Sequence, residues 1–136
     1  MKFACDKQES YTIFSVTDPK LNSLNAPTLK TELTLLNNEG IRNIILDING
    51  VTFIDSSGLS AILVGRRLCE NSNGTFVLSG ANDYVLRLLR ISQLESVLNL
   101  IRTLQEARDY VMMDELMREL GDNEEEKNTD YTDDDE

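Results

Sequence analysis

Not one histidine occurs among the 136 residues. Ser-His-Asp and Cys-His catalysis lose their usual base, and zinc sites lose their commonest nitrogen ligand. No Gly-x-Ser-x-Gly elbow surrounds any serine, which argues further against a hydrolase. The Gly-x-x-x-x-Gly-Lys phosphate loop and the Gly-x-Gly-x-x-Gly dinucleotide fingerprint are missing too, and the carboxylates are scattered instead of standing at metal-loop spacing. No metal or other cofactor is expected, and no enzyme. Two cysteines, Cys5 and Cys69, are too few for a disulfide framework, and no signal peptide precedes the first strand-like segment, so a reducing, cytoplasmic setting fits. Uninterrupted apolar runs are a few residues long, against the ~20 that a membrane-spanning helix needs, so no direct membrane insertion is expected.

What is present suffices for one core, since 40% of the residues are apolar. The net charge of -11 is unevenly spread. Residues 121–136 hold nine acids and one lysine, with no aliphatic side chain. Such a segment buries too little apolar surface to offset the entropy of ordering, so the reading is a domain over 1–120 and an acidic disordered tail over 121–136. Polyanions repel this chain and no basic stripe offsets that, so no direct contact with nucleic acid is expected.

Along the chain, Phe3-Ala4-Cys5 and Tyr11-Thr12-Ile13-Phe14-Ser15-Val16 read as edge strands joined by a polar hairpin loop. Asn25 stands as a helix cap with Pro27 in the first turn, Leu29, Leu33 and Leu36 make one apolar face, and Gly40 ends the helix. Asn43 to Ile48 is nearly continuous in branched residues, the pattern of a central strand covered on both faces. A second helix follows with Leu59, Ile62 and Leu63 inside, then a strand over Thr75-Phe76-Val77-Leu78. Asn82 caps a third helix facing inward through Val85, Leu88 and Leu89, and Val97 to Ile101 returns as a strand. Thr103-Leu104-Gln105-Glu106 has the form of a capping box and opens a last helix to about Leu120. Met112, Met113 and Met117 would give that helix an adaptable surface. Strands alternating with helices require crossovers, so the fold class is α/β, a mixed, mostly parallel sheet of four to five strands backed by about four helices.

One stretch stands out: Ile54-Asp55-Ser56-Ser57-Gly58-Leu59, where the central strand gives way to the second helix. Asp and Ser are good N-terminal caps, worth ~1 kcal/mol, and capping alone would explain them. Yet sites in open α/β sheets gather beyond the carboxyl ends of the strands, which is where this turn falls. The run NIILDINGVTFIDSSGLSAILVGRR closely resembles the signature of STAS domains, of the bacterial anti-sigma factor antagonist type. The likeness extends through TLKTEL, TFVLSGANDYVLRLLRISQLESVLNLI and EARDYV, so that about residues 8–112 are covered.

The resemblance implies a single STAS-like domain in which Ser56 accepts phosphate from an anti-sigma factor with serine kinase activity. Ser57 would be its neighbour, not the target. The unmodified protein would bind that anti-sigma factor and release a sigma factor, and a PP2C-type phosphatase would reset the switch. Asn22, Ser23, Asp55, Ser57, Gly58, Leu59 and Ser60 would form the partner-binding surface, with Gly58 allowing close backbone approach by the partner. Two positions depart from the family pattern: Asn22 replaces an acidic residue and Ser60 a glycine. Arg66 and Arg67 stand roughly 15 Å along the helix from Ser56, too far to clamp a phosphate, so the added charge of about -1.5 to -2 should change binding and leave folding intact. STAS-like domains also accompany lipid and anion transport machinery, which leaves a non-catalytic transporter subunit, or a scaffold that is never phosphorylated, as alternative readings.

Overall fold

The computed structural model describes residues 1–121 in full and the course of the last helix to Asp135. The acidic tail expected to be disordered falls, beyond Gly121, outside the fully described residues. The elements are β1 (Phe3–Lys7), β2 (Thr12–Val16), β3 (Lys20–Leu21), α1 (Ala26–Asn38), β4 (Ile44–Asp47) and β5 (Phe53–Ile54). They continue with α2 (Ser56–Asn71), β6 (Phe76–Ser79), α3 (Asp83–Ile91), β7 (Asn99–Ile101) and α4 (Leu104–Asp135). No described helix is long and apolar enough to cross a membrane.

Five strands form one sheet in the order β1-β2-β4-β6-β7, with β1 antiparallel to β2 and the other pairs parallel. β4 is central, as its branched run predicts, and the run is explained by alternation. Ile44 and Leu46 face a core shared with α1, α2 and α3, whereas Ile45 faces a smaller core built with Ala107 and Val111 of α4. The expectation of an edge position for the second strand is corrected: β2 is interior, paired on both sides, and buried at Thr12, Ile13, Phe14 and Val16. Its apolar residues at consecutive positions serve both cores, and β1 takes the edge on this side of the sheet, with β7 at the opposite edge.

Helix ends follow local chemistry. Gly40 closes α1 in the left-handed region (φ 95°), where the Ile41 N–H reaches back to the Leu36 carbonyl at 3.1 Å. Asn82 caps α3 by accepting the Val85 N–H at 2.8 Å. The hydroxyl arm of the expected box at the start of α4 is formed, with Thr103 Oγ1 accepting the Glu106 N–H at 3.1 Å. α4 is further held by a polar network: Glu115, 15% exposed, accepts from Arg42 at 2.6 and 2.7 Å, from Asn43 at 3.2 Å and from Arg118 at 2.8 Å. Partial burial alone would push the Glu115 carboxyl up, but these hydrogen bonds and the two arginine charges outweigh it and hold it below the usual glutamate range.

A candidate docking site around Ser56

Two short strands missed by periodicity position this site. β3 and β5 pair in parallel, Lys20 with Phe53 and Leu21 with Ile54, and so tie the segment before α1 to the segment before α2. Two-residue strands offer no alternation to read. Their pairing brings the loop 22–25 against Asp55, whose N–H donates to the Leu21 carbonyl at 3.2 Å.

Asp55 is the N-cap of α2, and both of its carboxylate oxygens are in use. Oδ1 accepts the Gly58 N–H at 3.0 Å and Oδ2 accepts the Ser23 N–H at 3.2 Å. The first bond is ordinary capping; the second crosses 32 residues of sequence and clasps the neighbouring loop to the helix start. Because Asp55 does the capping, Ser56 is released from it. Ser56 occupies the first helical position and is exposed, and among the described residues its hydroxyl forms no hydrogen bond. The N–H groups of Ser56 and Ser57, in the first helical turn, have no intrahelical acceptor and point along the positive end of the helix dipole.

The other expected contact residues divide. Ser23 and Ser60 are exposed, with Ser60 one turn along from Ser56 on the same side of α2, and Ser57 is half-buried. Leu59 is half-buried and packs on the main core. Asn22 turns its side chain inward on its own loop, where Oδ1 accepts the Leu24 N–H at 3.0 Å and its carbonyl accepts the Ala26 N–H at 2.8 Å. Gly58 is buried, and the close approach it permits is internal. A Cβ there would lie 2.5 Å from the Leu21 carbonyl oxygen and 2.8 Å from Ile54 Cγ2. Its missing side chain therefore serves the β3–α2 contact, which corrects the expectation that it admits a partner's backbone.

Sequence reasoning passed over three exposed apolar side chains beside this turn. Leu24 is 89% exposed, next to the Ser23 N–H that Asp55 holds. A leucine just before a helix cap reads as a staple against Leu29, but Leu29 is fully buried and Leu24 points away. Phe53 and Tyr84 stack at 6.3 Å between ring centroids and are each more than 40% exposed. Asn25, expected to cap α1 with its side chain, instead braces the loop: Oδ1 accepts the Asn22 N–H at 2.8 Å and Nδ2 donates to the Lys20 carbonyl at 2.6 Å.

Five clefts of about 170 to 490 Å3 on the described surface are all lined without Ser56 or the loop 22–25. Ser56 is exposed, with Phe53 and Leu24 exposed in the segments on either side of the Asp55 clasp, a geometry suited to another protein more than to a small molecule. Among the described residues, no three or more His, Cys, Asp or Glu side chains converge to hold a metal ion.

Fold and turn together define an α/β domain whose parallel strands deliver an Asp-Ser-Ser-Gly cap to an exposed helix start. The STAS domain family matches residues 2–107, and the chain belongs to it. A Bordetella bronchiseptica protein named as an anti-sigma factor antagonist, BtrV, is 29% identical over 97 residues, 71% of this chain and 83% of its own length. A Thermotoga maritima crystal structure described as an anti-sigma factor antagonist superposes with a TM-score of 0.74 at 28% identity, covering 81% of this chain and 94% of that one. The Bacillus cell fate determinant SpoIIAA in its phosphorylated form shares the fold with a TM-score of 0.66 at 20% identity, covering 81% of this chain and 99% of its own.

Proposed function

We propose that this protein is an anti-sigma factor antagonist working as a phosphorylation switch, and that Ser56 is the acceptor. In the unmodified state it binds an anti-sigma factor that doubles as a serine kinase, thereby freeing a sigma factor. The observation that carries this reading is the division of labour at the turn: Asp55 caps α2, which leaves the Ser56 hydroxyl exposed and uncommitted. The relatives named above as antagonists support the same reading.

Ser56 presents a hydroxyl that a kinase can reach, while ATP, metal and general base come from the partner, since the chain has neither phosphate loop nor histidine. Once formed, the phosphoester lies against the free N–H groups of the first turn, so the domain tolerates it. The complex does not. A dianion in a dehydrated contact loses its solvation and faces the Asp55 carboxylate nearby, and a penalty of ~4 kcal/mol weakens association about a thousandfold. Leu24 and the Phe53–Tyr84 stack supply apolar anchors for the partner, and Ser23, Ser57 and Ser60 supply the polar rim. A PP2C-type phosphatase restores the binding form, and the protein is a substrate and ligand of enzymes without being one.

The test is incubation with the cognate anti-sigma factor and ATP, followed by intact mass and peptide mapping. One phosphate on Ser56 is expected. Ser56→Ala should bind the anti-sigma factor and resist release by ATP, whereas Ser56→Asp should bind far more weakly. Equal affinities of these two variants would refute the charge mechanism, and a phosphate found elsewhere would refute the assignment.

A further inference from the structure

Among the described residues, the second face of the sheet is covered by α4, which turns Ala107 and Val111 onto Ile13, Ile45 and Val77. A helix so placed should be polar on its outer side, and this one is not. Tyr110, Met112, Met113, Leu116, Met117 and Leu120 are all 40–58% exposed. Three of the four methionines of the chain stand on this one stretch. Tyr110, Met113, Met117 and Leu120 recur at helical spacing, and beside them β7 contributes Ile101 to a groove of about 490 Å3 between the sheet edge and the helix.

The charge around that groove is of one sign. Glu106, Asp109 and Asp114 line it and no basic residue does. Up to Gly121, α4 carries five acids against Arg108 and Arg118; Arg118 pairs with Asp114 and Glu115, which leaves Glu106, Asp109 and Glu119 to meet an incoming cation. From residue 121 onward come nine acids and one lysine. A second copy of this chain, itself at -11, would bring acid against acid, and an anionic lipid surface is repelled for the same reason. Complementarity requires cations flanking apolar knobs.

We propose that the outer face of α4, with the groove against β7, binds a basic amphipathic helix of a partner protein. Unbranched methionines adapt to the apolar face of such a helix, and the rim carboxylates of Glu106 and Asp109 pair with its lysines or arginines. The surface is separate from the Ser56 turn, and its occupancy is independent of the switch.

Fluorescence anisotropy with the full chain and a labelled Leu/Lys peptide of about 18 residues, long enough to form an amphipathic helix, provides the test. Binding in the micromolar range is expected, at least about tenfold tighter than for a peptide of identical composition scrambled to abolish the apolar face. The double variant Met113→Glu/Met117→Glu should bind about tenfold more weakly although it adds two negative charges, because its carboxylates fall inside the apolar contact. Both side chains are 58% exposed, so the fold should hold by circular dichroism, with Met113→Ser/Met117→Ser as the alternative pair. Undiminished binding by the face variants, equal binding of the scrambled peptide, or no binding would overturn the proposal. So would a dimer in sedimentation velocity that the same variants dissolve, which would assign the face to a second copy. Ser56→Asp should leave peptide affinity unchanged, so this result is independent of the phosphorylation reading.

Discussion

Gly58→Ala sets two effects of opposite sign against each other. Helix propensity favours the alanine by ~1 kcal/mol, and on that ground alone the variant would be more stable. The structure says otherwise. The new Cβ would stand 2.5 Å from the Leu21 carbonyl oxygen, 2.8 Å from Ile54 Cγ2 and 3.0 Å from Leu21 Cγ. Real Cβ contacts almost never fall below 3.0 Å, so the carbonyl must retreat. It is backbone, and it is the acceptor for the Asp55 N–H at 3.2 Å, so moving it strains the β3–β5 pairing and the Asp55 clasp on Ser23 together. Overpacking of this kind costs ~1–3 kcal/mol and loss of one backbone hydrogen bond ~1 kcal/mol, against the ~1 kcal/mol propensity gain. A net destabilisation of about 1–3 kcal/mol is expected, read as a lower urea midpoint with unchanged slope. Affinity for the anti-sigma factor should fall as well at a temperature where the variant remains fully folded, because the loop 22–25 is displaced. A midpoint equal to or above that of the parent protein would refute the reasoning, since propensity would then have won.

Other outcomes follow from the same contacts. Asp55→Ala removes both the helix cap and the clasp and should cost about 1–2 kcal/mol by urea unfolding, with hydrogen exchange accelerated at Ser23 and Gly58; Asp55→Asn has a single acceptor oxygen, so it can keep the Gly58 cap but not the Ser23 clasp, and should recover only part of the loss, with exchange at Ser23 still accelerated. The Glu115 carboxyl is held below its ordinary value, so its stabilisation is fully present above about pH 4.3 and is lost as pH falls through the lower folded value. Glu115→Gln should therefore lower stability at about pH 6 and flatten the acid dependence below about pH 4, as followed by urea midpoints. Burial pushes the Cys69 thiol up to about 12 and leaves it fully inaccessible, whereas Cys5 lies exposed on the edge strand. At about pH 8 a thiol reagent should modify Cys5 alone, with the second site appearing only on unfolding, as counted by intact mass.

Much of the fold was legible because its signals were local. The branched run of β4, the leucine spacing of α1, Asn82 before α3 and Gly40 after α1 each state their structure within a few residues. β2 was misplaced because an edge strand and an interior one differ in which neighbours they acquire. Its continuous Ile13-Phe14 pair, serving both cores, was the available clue. β3 and β5 gave no signal, because two residues cannot show a period and their stability comes from each other. At the candidate site, motif and position singled out Ser56. Leu24 and the Phe53–Tyr84 stack escaped notice, because the exposure of an apolar residue depends on what the rest of the chain leaves uncovered.

The order of residues determined by itself the α/β class, the concentration of acid at the far end, the exclusion of histidine chemistry and the Asp-Ser-Ser-Gly turn before a helix. These depend on composition and on neighbours a few positions apart. Only the folded chain decided which of three capping-competent residues does the capping, and to what purpose Gly58 lacks a side chain. Both answers depend on Leu21 and Ser23, more than 30 residues away in sequence, being brought to within 3.2 Å of Asp55 by strand pairing. Hydrogen bonds and steric contacts act only at such short range, so that information comes into being when the chain closes on itself.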